Sequence, residues 1–188
     1  WYEFATPDSL QHQTSHWNKK VHPEFSAMQS KKLSKKEIDK FHSNGFTAVH
    51  VVPNKGIFRG SSSLRLLDTD QKMLQNHPTQ VIAFETYGWG SDDYPGSLLG
   101  VAALIRQTFY DVLWYKRALA SYNLFPHKND PVRLDISLES LQNHLNNNGE
   151  FIFRTGMKFQ HLEHLILQMN IKSILKKKKK LHVKLEDL

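Results

Sequence analysis

The segment Phe46–Val52 constrains the fold of this chain more than any other. It reads Phe-Thr-Ala-Val-His-Val-Val, β-branched and nearly continuously apolar, with Pro53 directly after it. Such a run is a strand signal, and the lack of alternation fits a parallel strand buried on both faces. Just upstream, Ser34 and Glu37 form the pattern of a capping box and open a short helix over Lys35–Ser43. Asn44-Gly45 closes that helix with a residue that tolerates the left-handed conformation.

The rest of the chain extends the pattern. Residues 57–68 and 79–86 read as two further strands, with a polar turn around Asn76-His77-Pro78 between them. Tyr87–Gly96 is a loop rich in Gly, Asp and Ser, after which Ser97 caps the longest helix, about Leu98 to Tyr122. Leu98, Leu99, Val101, Ala102, Ala103, Leu104 and Ile105 surround most of its first half, which predicts packing on more than one side. Ser137 starts a helix with Leu138, Leu141 and Leu145 on one face, and Asn146–Gly149 ends it. A strand at Glu150–Phe153, an amphipathic helix marked by Phe159, Leu162, Leu165, Ile166 and Met169, and a strand at Ile171–Leu175 follow. Helices and strands alternating at these lengths predict βαβ units around a parallel sheet, an α/β fold. Residues 1–33 are polar and broken by Pro7 and Pro23, and are expected to be irregular. Residues 34–188 carry the α/β units of the same single domain.

Composition removes several classes of function. The 188 residues are 39% hydrophobic and 11% aromatic, a globular composition. No apolar run approaches the roughly 20 residues of a membrane-spanning helix, so no membrane partner is expected. The absence of cysteine excludes disulfides, thiolate nucleophiles and Cys-based zinc sites. The net charge of +7 comes from two blocks, Lys176–Lys180 and Lys31, Lys32, Lys35 and Lys36. The first is not interleaved with the aromatics that a nucleic-acid surface uses, so no nucleic-acid partner is expected. No nucleophile-elbow, P-loop or dinucleotide fingerprint is present. His161 and His164 flank Glu163 at surface-neighbour spacing, which predicts adventitious metal binding at most.

Asn44–His50 followed by Lys55–Ser61 resembles the second-strand region of imidazolonepropionase-like amidohydrolases, part of the metal-dependent amidohydrolase superfamily. Tyr94–Gly100, Ala103–Thr108, Asp111 and Trp114-Tyr115 resemble the stretch after it, and Trp17-Asn18 with Val21–Glu24 the stretch before it. The similarity is densest over residues 44–115. The resemblance implies an incomplete (β/α) TIM barrel whose site lies at the C-terminal ends of the strands. It also implies a hydrolase of non-peptide carbon–nitrogen bonds in a small-molecule substrate, working through metal-activated water. The divalent metal (zinc, iron or manganese) belongs to the parent protein, and no ligand for it is assigned within this segment. No His-X-His pair precedes Gly45, and His12 and His16 are four apart in a segment without a strand pattern. Arg154 stands where relatives carry an acidic residue, and a lysine run stands where they have a Gly-containing turn. These departures favour an alternative, a non-catalytic binding protein of the same fold that has lost its metal. An open piece of barrel also predicts self-association through exposed strand edges. The compartment, bacterial periplasm or cytoplasm, is left open.

Five residues are candidates for the site. His50, near the end of its strand, is either a catalytic group or a hydrogen-bonded core histidine. Glu85 follows the strand Val81–Phe84 and is either a general base or ligand, or one half of an ion pair with an arginine. Arg59, between Phe58 and Gly60, either clamps a substrate carboxylate or ties its hairpin to Asp68 or Glu85. Arg106 is either a buried donor to loop carbonyls or a substrate contact. Tyr94 opens the Tyr94–Gly100 motif and is a candidate substrate contact.

Overall fold

A computed structural model describes residues 2–4, 15–29, 32–68, 70–74, 79–86, 94–147, 149–155 and 182–185. In chain order the elements are β1 (Tyr2–Phe4), α1 (Lys35–Ser43), β2 (Ala48–Pro53), β3 (Phe58–Ser61), β4 (Ser63–Leu66) and β5 (Gln80–Phe84). α2 (Leu98–Leu124), α3 (Ile136–Asn146), β6 (Phe151–Thr155) and β7 (His182–Leu185) complete those described, with a 3-10 turn at Ala27–Gln29.

The strands form a three-stranded sheet in the order β1-β2-β4 and a four-stranded sheet in the order β3-β5-β6-β7. β5, β6 and β7 run parallel to one another, whereas β3 runs antiparallel to β5 and β4 antiparallel to β2. Both sheets are therefore mixed, and no closed barrel is formed among the described residues. The expected parallel sheet is present in β5, β6 and β7, where α2 and α3 lie in the connection between β5 and β6.

The helices cover the four-stranded sheet. Phe58, Ile82, Phe84, Phe151 and Phe153 from its strands pack with Val101, Leu104, Ile105, Phe109 and Val112 of α2 and Leu138 and Leu141 of α3. Phe109 anchors this layer edge-on to Phe58 at 5.7 Å and to Phe151 at 5.6 Å. A smaller core joins Val49 and Val51 of β2 to Ala27, Leu33 and Leu67, with Ile38 and Phe41 of α1 packed on it. No described helix is long and apolar enough to cross a membrane.

Several local expectations hold and several are corrected. The capping box at Ser34 is formed, and Gly45 has φ +80° directly after the Asn44 cap. The apolar run at Phe46 enters its strand only at Ala48, and Phe46 itself is 57% exposed, edge-on to Phe41. Tyr2–Phe4, expected to be irregular, pairs in parallel with Val51–Pro53; three residues are too few to show a period. The run 57–68 divides at the fully buried Ser62, whose amide and hydroxyl both bond the Thr79 carbonyl, and the chain passes there from one sheet to the other. α3 is capped by Asp135, which accepts from the Leu138 amide, rather than by Ser137. α2 leaves one face open, with Leu99 78% exposed. Arg106 lies on that open face, 5.6 Å over the Tyr110 ring, so it is not the buried donor expected of it. The helix expected around Phe159–Met169, the strand at Ile171–Leu175, the histidines at 161 and 164 and the run Lys176–Lys180 fall outside the described residues.

Candidate functional site

The C-terminal ends of β5 and β6 lie side by side, with Ala83 opposite Arg154 and Phe84 opposite Thr155. Glu85 is the first residue beyond β5. β3 arrives from the opposite direction with Phe58 opposite Ile82 and Gly60 opposite Val81, and the register shift between them accommodates Arg59. Three charged side chains thus converge on one edge. An Arg59 Nη2 donates to Glu85 Oε2 at 2.5 Å, and Arg59 Nε donates to the Gly56 carbonyl at 3.1 Å. Arg154 Nε lies 3.6 Å from Glu85 Oε1, at ion-pair distance. Each carboxylate oxygen therefore faces a guanidinium.

Burial divides the cluster. The Arg59 side chain is 1% exposed, Arg154 18% and Glu85 40%, so solvent and ligands meet Glu85 and Arg154 first. A buried guanidinium needs a partner, and Glu85 supplies it at a place where the carboxylate keeps part of its hydration. Arg59 is held in position by two close backbone approaches. Gly56 has φ +92°, and an added Cβ there would sit 3.0 Å from the Lys20 carbonyl oxygen. Gly60 has φ +96°, and a Cβ there would reach within 2.2 Å of the Phe25 carbonyl oxygen. The amides of Ile57 and Phe58 donate to Lys20 O at 2.7 and 3.1 Å, and the His22 amide donates to Phe58 O at 2.9 Å. Residues 18–25 thus brace the strand that carries Arg59.

Of the two structural options for Arg59, the pairing is with Glu85 and not Asp68. His50 lies half-buried in β2 of the other sheet, with Leu64 of β4 as its register partner, while its neighbours Val49 and Val51 enter the smaller core. Tyr94 precedes α2 and stacks on Trp17 at 6.3 Å; its hydroxyl donates to the Gly100 carbonyl and its own carbonyl accepts from Asn18 Nδ2. The structure therefore joins Arg59 to Glu85 and adds Arg154, while Tyr94 and Arg106 make their described contacts elsewhere. Arg154 was legible only as an unusual basic residue at a strand end.

The cluster does not suit a metal ion. Guanidinium is not a ligand, and both oxygens of Glu85 are committed to one. Among the described residues no three His, Asp or Glu side chains are grouped closely enough to hold a metal. What the arrangement provides is a fixed positive pole: two guanidinium charges against one carboxylate, at the end of parallel strands where α/β sheets bind ligands.

An amidohydrolase from Thermotoga maritima MSB8 superposes on this chain with a TM-score of 0.63 and 17% sequence identity, over 80% of this chain and 42% of that one. The described residues share the fold of part of that amidohydrolase. The likeness is one of fold, and the chain spans less than half the length of that structure. No family model and no curated protein matches the sequence.

Proposed function

We propose that this chain is an imidazolonepropionase-like member of the amidohydrolase superfamily. In this reading its parent hydrolyses non-peptide carbon–nitrogen bonds in a small molecule, and this segment supplies the substrate-orienting part of the site. The observation that carries the proposal is the convergence of Arg59, Glu85 and Arg154 at the C-terminal ends of β5 and β6. The motifs around Asn44–Ser61 and Tyr94–Tyr115 and the fold likeness support the same assignment.

In this reading Glu85 does not take the proton. It keeps the buried Arg59 ionised and fixed while it aligns Arg154, whose guanidinium is the more exposed of the two. His50, Tyr94 and Arg106 are candidates for proton transfer and substrate contact when the remainder of the site is assembled. The water-activating divalent ion is assigned to residues outside those described. The test is hydrolysis of a panel of cyclic amides, ureas and imides by the natural full-length protein. Arg154→Ala is expected to lower kcat/KM about tenfold to a hundredfold, chiefly through KM, because an orienting contact made in the ground state is lost. An unchanged kcat/KM would remove Arg154 from the site.

A second reading has its own support. A carboxylate engaged on both oxygens and an arginine at a strand end suit a binding site better than a hydrolytic one. A barrel that binds a small anion without turning it over would hold no stoichiometric metal and would show ligand binding with no product.

A further inference from the structure

His16 occupies a position that the proposed function does not use. The residue is buried, with its side chain 1% exposed. Its backbone amide donates to Ser137 Oγ of α3 at 3.2 Å, and its ring lies 5.3 Å from that of Trp17. The Asn18 amide donates to His16 Nδ1 at 3.1 Å. Nδ1 is therefore the acceptor, and the neutral ring carries its proton on Nε2. Nε2 is buried, makes no hydrogen bond, and lies 3.8 Å from Asp111 Oδ2 of α2. Two carboxylates act on the ring, Asp111 from α2 and Asp135 from the N-cap of α3.

Protonation creates a direct conflict. A proton on Nδ1 faces the Asn18 N–H, donor against donor, while the new charge draws the ring toward Asp111. Asn18 cannot move alone. Its Oδ1 accepts from the Lys20 amide at 2.9 Å, its Nδ2 donates to Tyr94 O at 3.1 Å, and its carbonyl accepts from Val21. Lys20 O in turn receives the amides of Ile57 and Phe58, next to Arg59.

We propose that His16 is a proton-operated latch: neutral, it holds residues 16–22 against α2, α3 and β3; protonated, it releases them and frees the strand that carries Arg59. Burial holds the His16 pKa below its ordinary 6.5, with Asp135 and Asp111 opposing that shift in part. The closed form is therefore the neutral one. Once released, the ring recovers its ordinary pKa of 6.5. Between that value and the lowered one, each unit of acidification raises the open-to-closed ratio about tenfold. Acid opens the latch and neutral pH closes it.

The test uses the full chain labelled with 15N. Histidine 15N shifts report the His16 tautomer, and amide-exchange protection factors at Asn18, Ile57 and Phe58 report opening from pH 8 to pH 5. The expected result is an Nε2–H tautomer at pH 8 and a joint loss of protection at the three amides below pH 6.5, about tenfold per unit. The amides of Ile82 and Phe153 should keep their protection. His16→Gln should abolish the pH dependence, and His22→Gln should leave it intact. Asp111→Asn, which keeps the buried ring, should leave the onset near pH 6.5 and deepen the loss of protection at pH 5, because a carboxylate that stabilises the charged ring in the closed form is gone. Constant protection down to pH 5, an equal loss at Ile82 and Phe153, a transition that survives in His16→Gln, or a loss at pH 5 that Asp111→Asn makes smaller would each overturn the proposal.

Discussion

Replacing Gly60 with alanine tests whether the backbone around Arg59 is as tightly fitted as the structure shows. Gly60 has φ +96°, and a Cβ built on it lies 2.2 Å from the Phe25 carbonyl oxygen and 2.8 Å from the carbonyl carbon. The conformation alone costs an L-residue roughly 1–2 kcal/mol. The contact adds to this, because the Phe25 carbonyl has to retreat by roughly 1 Å to restore van der Waals separation. That carbonyl accepts from the Ser61 amide at 2.8 Å and from Ser61 Oγ at 3.3 Å. Weakening both bonds costs about 1 kcal/mol each, for a total near 3–4 kcal/mol. Gly45 is the control: its φ is +80°, and nothing lies within 4 Å of a Cβ there. Gly45→Ala should therefore cost about 1–2 kcal/mol, the conformational part alone. Urea denaturation of both variants measures the difference, expected at about 2 kcal/mol. Equal losses, or a loss below about 1 kcal/mol at Gly60, would refute the close approach of residues 22–25 to β3.

Other expectations follow from the same contacts. Glu85→Gln should destabilise the protein by only about 1 kcal/mol, because the carboxylate is 40% exposed and its pairing is screened by solvent; salt titration of the denaturation midpoint should shrink the difference. His144 is half-buried with its ring edge-on to Phe151 at 4.8 Å and Nε2 2.9 Å from the Glu150 carbonyl oxygen, and desolvation lowers its pKa below 6.5. Its contribution to stability is complete above pH 6.5 and is lost as the pH falls toward the lowered value, so His144→Gln should flatten the acid limb of a stability–pH curve measured by denaturation. Among the described residues no strand pairs with the outer sides of β1 and β7, and these edges should drive self-association, visible in sedimentation velocity as concentration-dependent oligomers; a clean monomer at all concentrations would contradict this.

Features specified by neighbouring residues were legible in the sequence. The capping box at Ser34 and the Asn44-Gly45 stop define α1 at both ends, because each is satisfied within one turn. Ser97 likewise starts α2, which runs to Leu124 instead of Tyr122. The phase of Leu138 and Leu141 in α3 was correct, although Asp135 rather than Ser137 caps it; Ser137 is occupied by the His16 amide, a contact across the whole chain. What local pattern cannot contain is sheet membership. The run 57–68 is apolar enough for one strand, yet its passage between sheets depends on Ser62 meeting Thr79. The apolar neighbours of Arg106 made a buried donor one of its two readings, whereas the structure leaves that side of α2 open. At the site, Arg59 pairing with Glu85 stood among the alternatives the residues offered. Arg154 joining the pair depends on the parallel register of β5 and β6, which no local motif encodes.

The proposed function assigns this chain to a metal-dependent hydrolase. The most direct measurement is the metal content of the natural full-length polypeptide, purified without a histidine tag and analysed by inductively coupled plasma mass spectrometry. A hydrolase of this kind should hold about one or two equivalents of zinc, iron or manganese per chain and turn over a cyclic amide. Metal near zero in folded protein equilibrated with each ion would contradict it, and would leave a barrel that binds a small anion at Arg59 and Arg154 without cleaving it.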